Sequence, residues 1–288
     1  MASLVDLGGH PVGIMETPQT QAASTILMET LASIVTFYAA FSALSASTTS
    51  DTFLRKWGVK RNVGLDVANK SVSALFAVMA SMSGVYILTT FGGSYYSDRV
   101  VTYAMPVAMG YFLYDAIAMF EVYKSCEDGG RRTFKSYLSS QPLMIAHHLL
   151  LSLFFIPLMI NRRSHYPGDP MLACALFMEA STPFVSLRAI LHNLGMRHSL
   201  TYALNGLLMV VVFLSCRILI YPWFYYVHGA SKGQTMIEAV ISTPPRCALW
   251  MIVALLPQLY WFRIMLSGAI KVVKEKFFDN ANVDTKNE

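Results

Sequence analysis

The stretch Met144-Ile-Ala-His-His-Leu-Leu-Leu-Ser-Leu-Phe-Phe-Ile-Pro157 decides how this chain is read. Two adjacent histidines, His147 and His148, lie inside an otherwise unbroken apolar run. The run does not alternate, and with its flanks from Pro142 to Ile160 it approaches the roughly 20 residues that a helix needs to cross about 30 Å of hydrocarbon. Hydrocarbon holds no water to solvate an imidazole. An ionisable group at that depth therefore marks a functional site, with its partners on neighbouring helices.

Composition carries the same reading to the whole chain. Its 288 residues are 55% hydrophobic and 14% charged, with a mean hydropathy of +0.46, too apolar for an ordinary soluble domain. Seven runs are long enough to span: Ser24 to Ala46, Lys70 to Phe91, Val100 to Phe120, Pro142 to Ile160, Met171 to Leu191, Tyr202 to Val227 and Pro244 to Leu266. Only helices and closed barrels satisfy the backbone in lipid, so the expected fold is an all-α polytopic membrane protein of about seven transmembrane helices. Ala80 and Gly84, at small-xxx-small spacing in the second run, predict a tightly packed face. Pro106, Pro157, Pro183, Pro222 and Pro257 fall within five runs, where proline kinks a helix or frees a carbonyl.

The net charge of +5 does not point to nucleic acid, because Lys and Arg sit in short clusters between apolar blocks. With the N-terminus outside, thirteen of them fall on cytoplasmic segments: Arg55, Lys56, Lys60, Arg61, Lys124, Arg131, Arg132, Lys135, Arg197, Lys271, Lys274, Lys276 and Lys286. Only four, Arg99, Arg162, Arg163 and Lys232, fall opposite. The positive-inside rule then predicts a non-cytoplasmic N-terminus and a cytoplasmic C-terminus. The expected organisation is a non-cytoplasmic segment at 1–23, a seven-helix membrane domain at 24–270 and a basic, polar cytoplasmic tail at 271–288. Residues 1–23 hold no Lys or Arg, so no cleavable signal peptide is expected. The sequon Asn69-Lys70-Ser71 reads as a cytoplasmic helix mouth that stays unglycosylated. Cys126, Cys174, Cys216 and Cys247 have neither disulfide nor metal spacing.

The costly polar groups cluster toward the cytoplasmic half of the bundle. Asp115 in the third run and His147 and His148 in the fourth lie at similar depth; Glu179 is deeper, followed by Ser181 and Thr182, while Arg188 and Asn205 sit nearer the cytoplasmic mouth. Adjacent helical residues project about 100° apart, so one histidine faces a cavity while the other orients it or bonds a neighbouring helix. A neutral imidazole there serves as general base or acyl-accepting nucleophile if a carboxylate such as Asp115 sets its tautomer. Hydrogen bonding across helices explains the pair equally well. No metal is expected, because adjacent histidines do not chelate like an i, i+4 pair. Glu179 reads as a buried partner of Arg188 or of a histidine, or as a polar anchor for a lipid hydroxyl. Arg217 reads as snorkelling toward the non-cytoplasmic surface. The aromatic run Tyr221-Pro-Trp-Phe-Tyr-Tyr226, with Tyr260 and Trp261, reads as interfacial belt.

Taken together, several motifs resemble the TLC domain family: Gly110-Tyr-Phe-Leu-Tyr-Asp115, the His147-His148 pair, and Glu179-Ala-Ser-Thr-Pro-Phe-Val-Ser-Leu-Arg188. Asn205-Gly-Leu-Leu-Met, Cys216-Arg-Ile-Leu-Ile-Tyr-Pro222 and Pro257-Gln-Leu-Tyr-Trp-Phe262 resemble its TLC domain-containing protein 3 branch, proposed to include ceramide synthases outside the main synthase family. The resemblance spans most of residues 30 to 270. It implies an endoplasmic reticulum or Golgi protein with a lipid-accessible cavity. It also implies transfer of a fatty acyl chain from acyl-CoA, as co-substrate and without a bound cofactor, to a sphingoid base. In that reading His147, His148 and Asp115 are catalytic. Glu179, Ser181, Asn205 and Arg188 line the substrate pocket, and Arg131, Arg132 and Lys135 meet CoA phosphates. The main ceramide synthases carry a downstream aspartate pair; this chain has Glu179-Ala-Ser-Thr in its place.

Two further readings stand beside the enzyme. One is a non-catalytic lipid-binding regulator of membrane lipid composition, whose polar cluster holds a headgroup. The other is a seven-helix receptor, which rests mainly on the helix count. Membrane lipids are the expected partners and nucleic acid is not; homo- or hetero-oligomerisation stays open.

Overall fold

In a computed structural model, residues 23–91, 99–126, 133–160 and 169–274 are described. The N-terminal segment up to residue 22 and most of the expected tail lie outside them. The described residues are mostly helical: α1 Ala23–Thr48, α2 Asp51–Trp57, α3 Arg61–Phe91, α4 Arg99–Lys124, α5 Phe134–Ser140, α6 Pro142–Ile160, α7 Asp169–Phe177, α8 Thr182–Asn193, α9 Leu200–Phe213, α10 Ile220–Ser231, α11 Met236–Ser242 and α12 Pro245–Lys274. Six stretches are long and apolar enough to cross a membrane as single spans: α1, α3, α4, α7 with α8, α9 with α10, and α12. The seventh candidate is the pair α5 and α6, bent by 99° at its break. This is a multi-pass, all-α membrane bundle.

Local chemistry sets the element ends. Thr133 and Thr235 each close a capping box at the start of α5 and α11, satisfying N–H groups that the helix leaves free. Gly58, at a φ of 62°, adopts the left-handed conformation that ends α2. The second span is longer than its apolar run predicts. α3 starts at Arg61, nine residues before Lys70, which carries Asn69 two turns inside the helix.

Two spans are broken in the middle. A 3-10 turn, Met178–Ser181, joins α7 to α8, and a π turn, Leu214–Ile218, joins α9 to α10. A proline follows each break within four residues. Pro183 has no N–H for the carbonyl of residue 179, and Pro222 has none for that of residue 218. The π turn is closed by Leu219 N–H donating to the Leu214 carbonyl at 2.9 Å.

α4 is the central helix, packed on α1, α3 and α6, while α3 also packs on α7 and α8. Its core is aromatic: Phe76 of α3 stacks on Tyr111 of α4 at 3.7 Å between centroids, with Phe37 of α1 edge-on to both. Lipid tails are as apolar as leucine, so close packing rather than water exclusion joins such helices. Gly84 supplies that closeness, since a Cβ there would come within 2.5 Å of the Phe177 backbone nitrogen. On α12, Leu249, Ile252, Leu256 and Ile264 remain exposed, as a lipid-facing side requires.

Candidate functional site

A cavity of about 220 Å³ lies among α3, α4, α6, α7, α10 and α12. Its wall is almost entirely apolar, with Phe112, Leu151, Phe155, Tyr221 and Trp250 prominent, and four polar side chains break it: His147, Glu179, Arg217 and Gln258. The volume sits just below the roughly 300–1,000 Å³ typical of small-molecule pockets, so it suits one narrow apolar chain better than a bulky ligand.

The two histidines of α6 diverge as helical geometry requires. His147 lines the cavity and meets the edge of Trp261 of α12, with ring centroids 5.1 Å apart. His148 turns away, packs on Phe112, and is buried with its Nδ1 3.2 Å from Asp115 Oδ2. The ring is rotated so that its N–H misses the carboxylate: the ion-pair distance is met, but no hydrogen bond to Nδ1 forms among the described residues. The other carboxylate oxygen is well held. Asp115 Oδ1 accepts from Asn69 Nδ2 at 3.0 Å and from the Ser73 hydroxyl at 3.4 Å, while Tyr114 donates to Asn69 Oδ1 at 3.0 Å. Asn69 is 0% exposed, so the asparagine read as a sequon at a helix mouth is a buried partner of Asp115.

A second polar group forms where the two broken spans face each other. Arg217, in the π turn, donates through Nε to Ser181 Oγ at 2.8 Å, and through Nη2 to Glu179 Oε1 at 3.1 Å and Thr182 Oγ1 at 2.9 Å. Its Nη1 donates to Gln258 Oε1 of α12 at 3.3 Å, and Thr182 donates to Glu179 Oε2 at 2.7 Å. Two expectations are corrected here. Arg217 does not snorkel; it is buried and bonded in four directions. Glu179 pairs with Arg217, not with Arg188 or a histidine. The irregular turns rotate these side chains inward, a geometry that regular helical periodicity does not anticipate.

The remaining expected site residues lie elsewhere. Asn205 is buried and donates to the Phe184 carbonyl at 2.8 Å, tying α9 to α8. Arg188 lies 4.1 Å over the Tyr202 ring, donates to the Tyr202 carbonyl at 3.3 Å, and presses on Gly206, where any side chain would collide with it. Neither lines the cavity. Arg131 and Arg132 lie outside the described residues, and Lys135 is exposed in the first turn of α5. The aromatic run divides: Tyr221 and Phe224 face the cavity, whereas Trp223 and Tyr226 are exposed. Gln258 and Asn69 were not expected among the site residues. Gln258 lies inside the last apolar run and Asn69 just before the second, positions shared with many polar residues that merely bond across helices.

Comparison with known proteins agrees with this architecture. Residues 66–267 match the TLC domain profile. TLC domain-containing protein 4 of Xenopus tropicalis is 26% identical over 216 residues, 72% of this chain and 76% of that protein. No solved structure matches. The profile covers both polar groups and every cavity-lining helix, and the chain belongs to the TLC domain family.

Proposed function

We propose that the protein holds a fatty acyl chain in this cavity and transfers it from acyl-CoA to the amine of a sphingoid base, in the endoplasmic reticulum or Golgi membrane, as the resemblance to the TLC domain-containing protein 3 branch implies. The carrying observation is that His147 opens onto an apolar cavity inside the bilayer-spanning bundle. The amine attacks the thioester carbonyl as His147 accepts its proton; the C–N bond forms, the C–S bond breaks, and the leaving thiolate takes that proton. His148 and Asp115 hold α6 against α3 and α4 behind the reacting imidazole. Purified full-length protein in lipid is expected to form ceramide from sphinganine and palmitoyl-CoA, with loss of about a hundredfold or more in His147→Ala and a smaller loss in His148→Ala. No product above the His147→Ala background overturns acyl transfer.

A second reading rests on one specific observation: Asp115 approaches His148, and no hydrogen bond reaches His147 among the described residues. An imidazole without an orienting carboxylate suits binding better than proton transfer. A non-catalytic lipid carrier predicts lipid that copurifies with the protein, disappears in His147→Trp, and never turns into product.

A further inference from the structure

The mechanism above leaves one cavity-lining group unused. Gln258 of α12 is 1% exposed and contributes to the cavity wall. Its neighbour Arg217 decides which way the amide points. A guanidinium only donates, so the Gln258 atom 3.3 Å from Arg217 Nη1 is the carbonyl oxygen. The amide nitrogen then occupies the opposite branch. Among the described residues it has no hydrogen-bond partner, and it is not one of the polar atoms sealed away from every surface. Gln258 thus brings an amide nitrogen without a partner among the described residues to a largely apolar wall that it shares with His147, Glu179 and Arg217.

The orientation is not free to relax. Arg217 is held through Ser181, Glu179 and Thr182, so rotating the Gln258 amide would bring its NH2 against a fixed cation. His147 is close by: Trp261, which His147 touches, follows Gln258 by one turn on α12. A buried, partnerless donor near an imidazole in an apolar cavity fits an acceptor that arrives with the ligand. The commonest acceptor on an otherwise apolar chain is a carbonyl oxygen.

We infer that Gln258 Nε2 donates to the carbonyl oxygen of an acyl lipid bound in the cavity, and that Arg217 is the positioning residue that aims it. The inference rests on the acyl-binding reading above and assigns the group that recognises the acyl carbonyl. Nothing is transferred to or from Gln258. If the carbonyl is attacked, the same donors face the oxyanion that develops, where they count most.

The test uses the full chain in lipid nanodiscs and two probes that differ at one carbon: palmitoyl-CoA and its thioether S-hexadecyl-CoA, which lacks the carbonyl. The wild type is expected to bind the thioester about threefold to tenfold more tightly than the thioether, the size of one well-made hydrogen bond. Gln258→Glu keeps an oxygen for Arg217 but presents an acceptor to the cavity; Gln258→Met removes the polar group without adding charge. Both are expected to erase the preference while thioether affinity holds, and Gln258→Met decides should Gln258→Glu fail to fold. Where turnover is measurable, kcat falls about a hundredfold in Gln258→Met with a much smaller change in KM, which a purely structural residue would not produce. Equal or absent binding of the two probes by the wild type, or a preference that survives in Gln258→Met, overturns the inference. Carbonyl preference without amide formation upholds it and removes acyl transfer; amide formation at full rate in Gln258→Met does the reverse.

Discussion

At the scale of single residues, Arg217 and Glu179 offer the sharpest contrast between a pair and its parts. Both are about nine-tenths buried, and among the described residues each charge is met by the other and by the hydroxyls and amide around them. Removing one leaves an unpaired charge in a place without water, at a cost of about 3–5 kcal/mol, whereas removing both often costs far less. Arg217→Met and Glu179→Gln are each expected to lower the thermal unfolding midpoint in detergent strongly, and Arg217→Met/Glu179→Gln to recover most of the loss. Additive losses would mean that the two side chains act independently.

At the scale of elements, glycine reports where helices touch. Gly84 on α3 and Gly110 on α4 meet backbone atoms, Phe177 N and Thr30 O respectively, each 2.5 Å from where a Cβ would be. Backbone cannot step aside, so Gly84→Ala and Gly110→Ala are expected to destabilise by about 1–3 kcal/mol. Gly268→Ala on α12 meets nothing and gains helix propensity, so its midpoint should stay or rise slightly. α11 answers to pH instead. The Glu238 carboxylate accepts from the Thr235 N–H and hydroxyl, which hold its pKa below the usual carboxylate range. A group with a lowered folded pKa stabilises above its unfolded value and loses that contribution as pH falls through it. Hydrogen-exchange protection of α11 should therefore weaken below about pH 4, and Glu238→Gln should flatten that dependence.

How far this was legible in the sequence follows the same division. Hydropathy is one-dimensional, so the apolar runs and the His147-His148 anomaly could be read directly. The 100° step between neighbours was enough to send one histidine inward and one aside. Gly84 was legible as well, because small-xxx-small spacing is local. Arg217 was not. Its nearness to a span end matched snorkelling, and the π turn that carries it sets it against Glu179. Gln258 and Asn69 needed knowledge of which helices adjoin, which no single run contains.

At the scale of the whole molecule, the sidedness of the bundle turns on α6. If α6 crosses the membrane, the chain has seven spans and its ends lie on opposite sides; if the bent pair α5 and α6 only dips in and returns, there are six. Charge separates the two. Seven spans leave thirteen Lys and Arg on one side and four on the other. Six spans move Arg162, Arg163 and Lys232 to the richer side and Arg197 with Lys271, Lys274, Lys276 and Lys286 away from it, leaving eleven against six. The positive-inside rule favours the stronger asymmetry, and the 19 residues of α6 cover about 28 Å, close to the hydrocarbon thickness. The seven-span form also keeps His147 on a crossing helix, where the cavity has an apolar surround. Cysteines introduced at Lys60 and Arg197 are therefore expected to react with a membrane-impermeant maleimide from the cytoplasmic face of sealed vesicles, and one at Lys232 only after permeabilisation. Labelling of the Lys60 and Lys232 positions from the same face would establish six spans and take α6, with both histidines, out of the set of crossing helices.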